Sequence, residues 1–421
     1  MAASRARYNV LALTFVTAFV TYVDRVAIGA AKPELMARLG LDKITMGWST
    51  SAFNWGYALF QIPGGWMGDR FGPRSVLAAA MTAFSVFTAA SGAAIGAASL
   101  AAARFLVGVG QAVSWPTTSR SLVRWLPLGR RAFGQGVQRS GARFGAALTP
   151  VLVVSLIARR SWREAFYLFG LAGLAWAALW YYYYRDDPAE HGGVNGGELA
   201  LLRGSGLAAR PAARPVVPWR RILRSRNVWF LCAMYFCYGW VLWMYLSWLP
   251  TYLVEARGFT PARMGLAASA PLFAASVSNL LGGWLSDLLA RRLNDLRRGR
   301  LLVSLLGFAV AAAALLPGVL LDNPAVSLVF LTLALAGLEL TVAVSWAMCV
   351  DIGGDFSGSV SALMNTFGNI SPGLSEIAVG YLATRFGWNW PFLLASGLCV
   401  AAALLASRID PNLSLAVRAK D

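Results

Sequence analysis

Arg104 lies inside an almost wholly apolar stretch, ASLAAARFLVGVGQAVSWP, running from Ala98 to Pro116. Gln111 follows seven residues later, close to two full helical turns, so a helix would carry both side chains on nearly one face. A guanidinium keeps its charge inside a protein. In hydrocarbon it must therefore face water, a partner or a ligand. Its planar fork fits a carboxylate or a phosphate in two-point contact. Other apolar stretches carry Asp24 with Arg25, Glu339 and Glu376. Arginines and acids placed this way suit anion binding and proton relay. On spacing alone, Asp24 is either a titrating group or the neutralising partner of Arg25 or Arg104. Glu339 and Glu376 are either proton-carrying acids, partners of Arg143, or acids near water-facing helix ends.

The composition says what kind of chain must position these groups. Hydrophobic residues make up 57% and charged residues 13%, against a charged share of about 25% in soluble domains. The deficit comes from long apolar runs, so the chain reads as a polytopic membrane protein. The net charge of +18 would suit nucleic acid if the arginines covered one soluble face. They lie between apolar runs instead, which excludes nucleic acid as a partner and makes them topology signals. Cys232, Cys237, Cys349 and Cys399 all fall in apolar runs, without metal or redox spacing, and read as packing residues. His191 is the one histidine and cannot build a metal site or a triad. With no nucleophile–base–acid set, an enzyme is not expected, and neither is a cofactor beyond a proton gradient. A binding-only sensor remains the other non-enzymatic class.

Spans of about 20 apolar residues are needed to cross a bilayer. Twelve candidates emerge, at 8–30, 46–67, 76–96, 98–122, 134–157, 163–184, 227–252, 263–288, 301–320, 326–350, 358–383 and 389–408. The long connection between the sixth and seventh contains GGVNGGE and RPAARPVVP and reads as a linker. The expected organisation is a six-helix bundle at 1–184, a cytoplasmic linker at 185–226 and a second six-helix bundle at 227–421. With the N-terminus in the cytoplasm, roughly 24 of the basic residues fall inside and about 9 outside, so both termini are expected to be cytoplasmic. The run Trp180 to Arg185, WYYYYR, reads as an interfacial aromatic belt.

The two halves repeat. GGWMGDRFGPR, Gly64 to Arg74, follows the second span, and GGWLSDLLARR, Gly282 to Arg292, follows the eighth. Five of the eleven positions are identical. Two parallel six-span repeats with a midplane substrate site between them are a transporter architecture. Asp69 is read as a loop acid that meets Arg74, Arg130 or a helix N-terminus, and Asp287 repeats it.

Gly-x-x-x-Asp-Arg-x-Gly-x-Arg after the second of twelve spans resembles the signature of the major facilitator superfamily. That resemblance implies a conformational latch at Asp69, Arg70, Gly72 and Arg74. TYVDR (Thr21 to Arg25), FNWGYALFQIPGGWMGDRFG (Phe53 to Gly72), RFLVGVGQAVSWP (Arg104 to Pro116), SWREAFYLFG (Ser161 to Gly170) and SWLPTYL (Ser247 to Leu253) are similar to its anion:cation symporter branch. That branch includes bacterial hexuronate, galactonate and organic-acid carriers and the animal sialic acid and vesicular glutamate carriers. The likeness covers essentially the whole chain. It implies substrate contact by Tyr22, Arg25, Tyr57 and Arg104, and proton coupling at Asp24. Asn365 fits the polar face of the eleventh span, and Trp346 in the tenth stands as a cavity wall.

The chain also departs from the pattern. Gln111 occupies a position where bacterial members carry a glutamate, and an amide has no proton to exchange. Arg143 follows Ser140-Gly141-Ala142 where the branch reads Ser-Gly-Gln, and is expected as a new buried cation. Glu376 and Glu339 are candidate replacement acids. The resemblance thus implies an all-α, twelve-helix carrier of a small organic anion such as a sugar acid. It would work by alternating access as a monomer in a bacterial inner membrane, with proton coupling altered at Gln111. An uncoupled uniporter, an anion exchanger and an exporter of cations or drugs are the alternatives.

Overall fold

The computed structural model describes residues 4–127, 130–203, 218–413 and 415. Its described elements are helical, and the twelve expected spans appear as long helices with one internal break. They begin with α1 (Ala6–Leu39), α2 (Lys43–Phe71), α3 (Pro73–Gly92), α4 (Ala97–Ala112), α5 (Ser114–Trp125), α6 (Arg131–Arg159) and α7 (Trp162–Tyr183). Short helices α8 (Gly196–Leu202) and α9 (Trp219–Arg224) lie in the long connection. The second half holds α10 (Arg226–Glu255), α11 (Pro261–Arg292), α12 (Leu296–Leu320), α13 (Pro324–Gly353), α14 (Ser357–Arg385) and α15 (Asn389–Ser407). Among the described residues, ten helical stretches are long and apolar enough to cross a membrane, α4 and α5 counting as one. Helices α2 and α14 have the length, at 29 residues each, but carry more polar residues.

The fourth span is not one helix. Pro116 has no N–H to give to the Ala112 carbonyl, and its ring crowds that turn. The helix accordingly stops at Ala112 and restarts at Ser114. Arg104 and Gln111 both stay on the first piece.

Two compact units divide the chain, residues 1–41 with 52–214 and residues 42–51 with 215–421. In the first, α1 packs on α6, and α3 packs on α7 and α4. In the second, α10 packs on α14, and α12 packs on α15 and α13. Counted by span, each unit joins its first helix to its fifth and its third to its sixth and fourth. The sequence repeat is therefore also a repeat of packing. The second-to-fourth pairing recurs through glycine. A Cβ on Gly108 of α4 would lie 2.1 Å from the Phe53 carbonyl oxygen of α2. A Cβ on Gly282 of α11 would lie 2.1 Å from the Leu340 carbonyl oxygen of α13. Close backbone approach of this kind is how helices associate where hydrocarbon offers no hydrophobic drive.

The residues of the expected latch lie at the turn from α2 to α3. Gly72, at φ 83°, makes the turn from α2 to α3, in the left-handed region that glycine tolerates. A side chain there would also collide with Asp186, at 2.5 Å from its Oδ2. Asp186 accepts from the Arg74 backbone N–H at 3.2 Å and from Arg124 at 3.0 Å. The Arg74 guanidinium donates to the Tyr181 carbonyl at 2.9 Å. Arg70 is exposed and lies over the rings of Trp66 and Phe71. Asp69 stands in the last turn of α2 rather than in a loop, and its side chain lies outside the described residues. The repeat partner Asp287 pairs with Arg300 at 2.7 Å, and Arg300 also reaches Asp351 at 3.1 Å.

WYYYYR is not a uniform belt. Trp180 and Tyr184, one helical turn apart, are fully buried and stack at 4.2 Å. Tyr181 and Tyr182 face outward. The start of the long connection is also docked. His191 sits edge-on to both Trp125 and Tyr183. The fully buried Glu198 accepts from the backbone N–H groups of Ala6 and Arg7, at 3.2 and 3.1 Å. Those N–H groups are free donors at the start of α1, and a carboxylate suits the positive end of a helix.

Candidate anion site

The polar face of α1 is prepared by its threonines. Thr14, Thr17 and Thr21 turn their hydroxyls back to the carbonyls of Leu11, Leu13 and Thr17. This satisfies them without an outside partner and leaves Asp24 and Arg25 as the groups that reach other helices. Asp24 is 2% exposed and Arg104 is 1% exposed, so both are removed from water.

Asp24 is met from two other helices. Thr88 of α3 donates to its Oδ1 at 2.6 Å, and Gln111 of α4 donates from Nε2 to its Oδ2 at 2.7 Å. Arg104 stands 3.6 Å from the same Oδ2, an ion-pair distance longer than a hydrogen bond. Gln111 is tied at its other end as well, since its Oε1 accepts from Arg25 Nε at 2.8 Å. The amide thus bridges Asp24 and Arg25, while Asp24 is the counter-ion of Arg104. Asp24 therefore meets Arg104 directly and Arg25 through the amide.

Aromatic rings complete the setting. The Arg25 guanidinium lies 4.6 Å from the Tyr57 ring centre, 5.2 Å from Tyr22 and 5.4 Å from Phe53. Arg104 lies 5.0 Å from Phe53. Ring faces stabilise a desolvated cation. Phe53 serves both arginines because α2 and α4 touch backbone to backbone at Gly56 and Gly108.

In the second unit, Glu339 of α13 is fully buried. Its Oε1 accepts from the Tyr238 hydroxyl at 2.7 Å and its Oε2 from Asn279 at 2.9 Å. Tyr238 stacks on Tyr235, and Tyr235 accepts from the Trp346 indole at 3.2 Å. Trp346 therefore belongs to one polar-aromatic group with Glu339. Glu376 is placed apart from it, 3% exposed, and accepts from Thr50 at 2.9 Å. Both glutamates are buried, so neither lies at a water-facing helix end. Asn365 is half-buried on α14, and its carbonyl accepts from Asn369. Arg143 is half-buried rather than buried.

Several groups escaped the sequence reading. Phe53, Thr88, Tyr238 and Asn279 join these clusters, and Lys32, two turns beyond Arg25 on α1, is fully buried. Lys32 and Asn279 carried a usable signal, since each is a polar side chain within an apolar run. Phe53 and Thr88 carried none, because an aromatic or a threonine in a span is ordinary.

The major facilitator superfamily description matches residues 14–376. The chain belongs to the major facilitator superfamily. Members are transporters rather than enzymes, and the helical repeat is that of the superfamily. A Cupriavidus necator protein named a probable sulfoacetate transporter, SauU, is 36% identical over 98% of this chain and 95% of its own length. A Bacillus subtilis hexuronate transporter is 30% identical over 96% of this chain and 95% of its own. Among solved structures, a bacterial homologue of the human lysosomal transporter Spinster superposes with a TM-score of 0.81 at 16% identity. It covers 97% of this chain and 98% of that one. A D-xylose–proton symporter gives 0.76 at 13% identity, covering 97% and 99%. At these identities the two structures speak for the fold alone.

Proposed function

We propose that the chain is a secondary transporter of a small organic anion, a sulfonate or sugar acid, working by alternating access in a bacterial inner membrane. The observation that carries this reading is the buried pair Arg25 and Arg104, with Asp24 held against Arg104 and tied to Arg25 through Gln111. Guanidiniums offer a carboxylate or sulfonate two-point geometry. The names of the relatives, which include sulfoacetate, hexuronate and galactonate transporters, support the same substrate class. Tyr22 and Tyr57 are assigned to substrate contact beside the arginines, and Asn365 and Trp346 to the share of the second unit. The carrier acts as a monomer, with Asp69, Arg70, Gly72 and Arg74 as the conformational latch.

Proton coupling is assigned to Asp24, which holds its charge between a hydroxyl, an amide and a guanidinium. Glu339, which accepts from Tyr238 and Asn279, is the second candidate. Glu376 is the third. The test is uptake into proteoliposomes with and without an inward proton gradient, challenged by competing anions and lipophilic cations. The gradient is expected to accelerate wild-type uptake several-fold and to leave D24N unaffected, with only anions competing. Wild-type uptake indifferent to the gradient would replace symport by uniport or anion exchange, the reading that the missing proton of Gln111 favours. Competition by cations alone would overturn the anion assignment.

A further inference from the structure

We propose that Gln111 is a fixed stand-in for a protonated carboxyl, which takes one proton site out of the cluster and leaves Asp24 as its exchanging acid. The proposal rests on the anion-carrier reading and adds that protons act on this site through Asp24 and not through position 111. The amide has one permitted orientation. Arg25 Nε only donates, so the group facing it at 2.8 Å is Oε1. Asp24 as a carboxylate only accepts, so the group facing it at 2.7 Å is Nε2. An isosteric carboxyl at this place would set an oxygen 2.7 Å from Asp24. Two carboxylates that close do not both ionise, and one proton is shared between them. With that proton the pair would reproduce the present bonding. Without it, the cluster would be one charge more negative and the two acids would repel. The amide N–H is the shared proton made permanent.

The titratable and charged groups around Gln111 are few. Helix α1 contributes Tyr22, Asp24 and Arg25, α2 contributes Tyr57, and α4 itself contributes Arg104. Helix α3 contributes Thr88, its one charged residue being Arg74 at its start, and α5 bears Arg120 and Arg124, nine or more residues further on. Asp24 is thus the acid of the described cluster. Because Gln111 cannot release a proton, the cluster stays one charge more positive than an acid at this position would leave it at high pH. That bias suits a ligand ionised at all physiological pH, and a sulfonate or a dianion is the clearest case.

The substitution Q111E tests the proposal by two readouts, one of which needs no ligand. In ligand-free protein, its melting temperature should approach the wild type at pH 5.5 and fall progressively below it towards pH 8.5. The sign follows because the shared proton is bound more tightly in the folded state than in the unfolded chain, so stability is lost as pH rises. Dissociation constants for sulfoacetate and glucuronate, used as probes, should weaken less from pH 5.5 to pH 8.5 in the wild type than in Q111E. In Q111E they should match at pH 5.5 and weaken by about tenfold or more at pH 8.5, where one charge has been added beside the arginines. The double variant D24N/Q111E exchanges amide and acid and restores the original charge. Its melting temperature should lie below the wild type, because Arg104 loses its partner at Asp24, but should not fall further towards pH 8.5, since no second carboxyl shares a proton with position 111. A double variant whose melting falls as steeply with pH as expected for Q111E, or a folded Q111E with both pH profiles flat, overturns the proposal. If the melting profiles behave as expected and no probe anion binds any variant at any pH, the anion-carrier reading has failed instead.

Discussion

Anion uptake by the R104K carrier should fall by about 10- to 150-fold while the protein still folds and inserts. The range is the loss of about 1.5–3 kcal/mol for hydrogen bonds to a charged partner, at tenfold per 1.4 kcal/mol. Lysine keeps the positive charge that Asp24 requires at 3.6 Å, so the buried ion pair survives. It loses the planar fork and the flat face that lies 5.0 Å from Phe53. R104A is the harsher change. It leaves Asp24 buried beside Thr88 and Gln111 without that guanidinium, a loss of about 3–5 kcal/mol for a broken buried pair. Folding should suffer there as well as transport. Initial uptake rates in proteoliposomes, normalised to inserted protein, separate the two variants. Wild-type rates in R104K would remove the two-point role of Arg104.

G108V should lose both stability and transport although it touches no charged group. Its Cβ would stand 2.1 Å from the Phe53 carbonyl oxygen and 2.9 Å from the Tyr57 backbone nitrogen. Neither backbone atom can swing aside, so α2 and α4 must separate. Overpacking of this kind costs about 1–3 kcal/mol or more. The same displacement draws Phe53 and Tyr57 off the arginines, so surviving protein should carry anion poorly. Melting in detergent and uptake should fall together. Unchanged melting in G108V would show that α2 and α4 can separate at this crossing without cost.

These two residues mark the limits of reading the chain unaided. The helical period alone put Arg104 and Gln111 on one face, and they do share the cluster around Asp24. Asp24 itself was left between two arginines, since spacing cannot say which of two distant helices supplies a counter-ion. The structure divides the roles, with Arg104 as ion partner and Arg25 reached through the amide. Gln111 was legible as a departure, but its double tether was not, because that depends on the approach of α1 to α4. The break after Ala112 was written in Pro116, and the apolar run around it concealed the signal. The buried half of WYYYYR shows a related effect. Four tyrosines look alike in sequence, and only the helix period against α3 and the docked connection sorts Trp180 and Tyr184 inward.

The glycine crossings also divide the chain's glycines by the sign of one small change. Replacing an exposed helical glycine by alanine ordinarily favours a helix by about 1 kcal/mol. Gly136, Gly358 and Gly397 have open space around the position of a Cβ, and alanine there should raise the melting temperature without touching transport. Gly56, Gly108 and Gly282 face a carbonyl oxygen at 2.1 to 2.3 Å, and the same replacement should lower it. A thermostabilised carrier for structural work could thus be assembled from the first group, and an alanine scan of both would draw the map of backbone contact without a diffraction experiment.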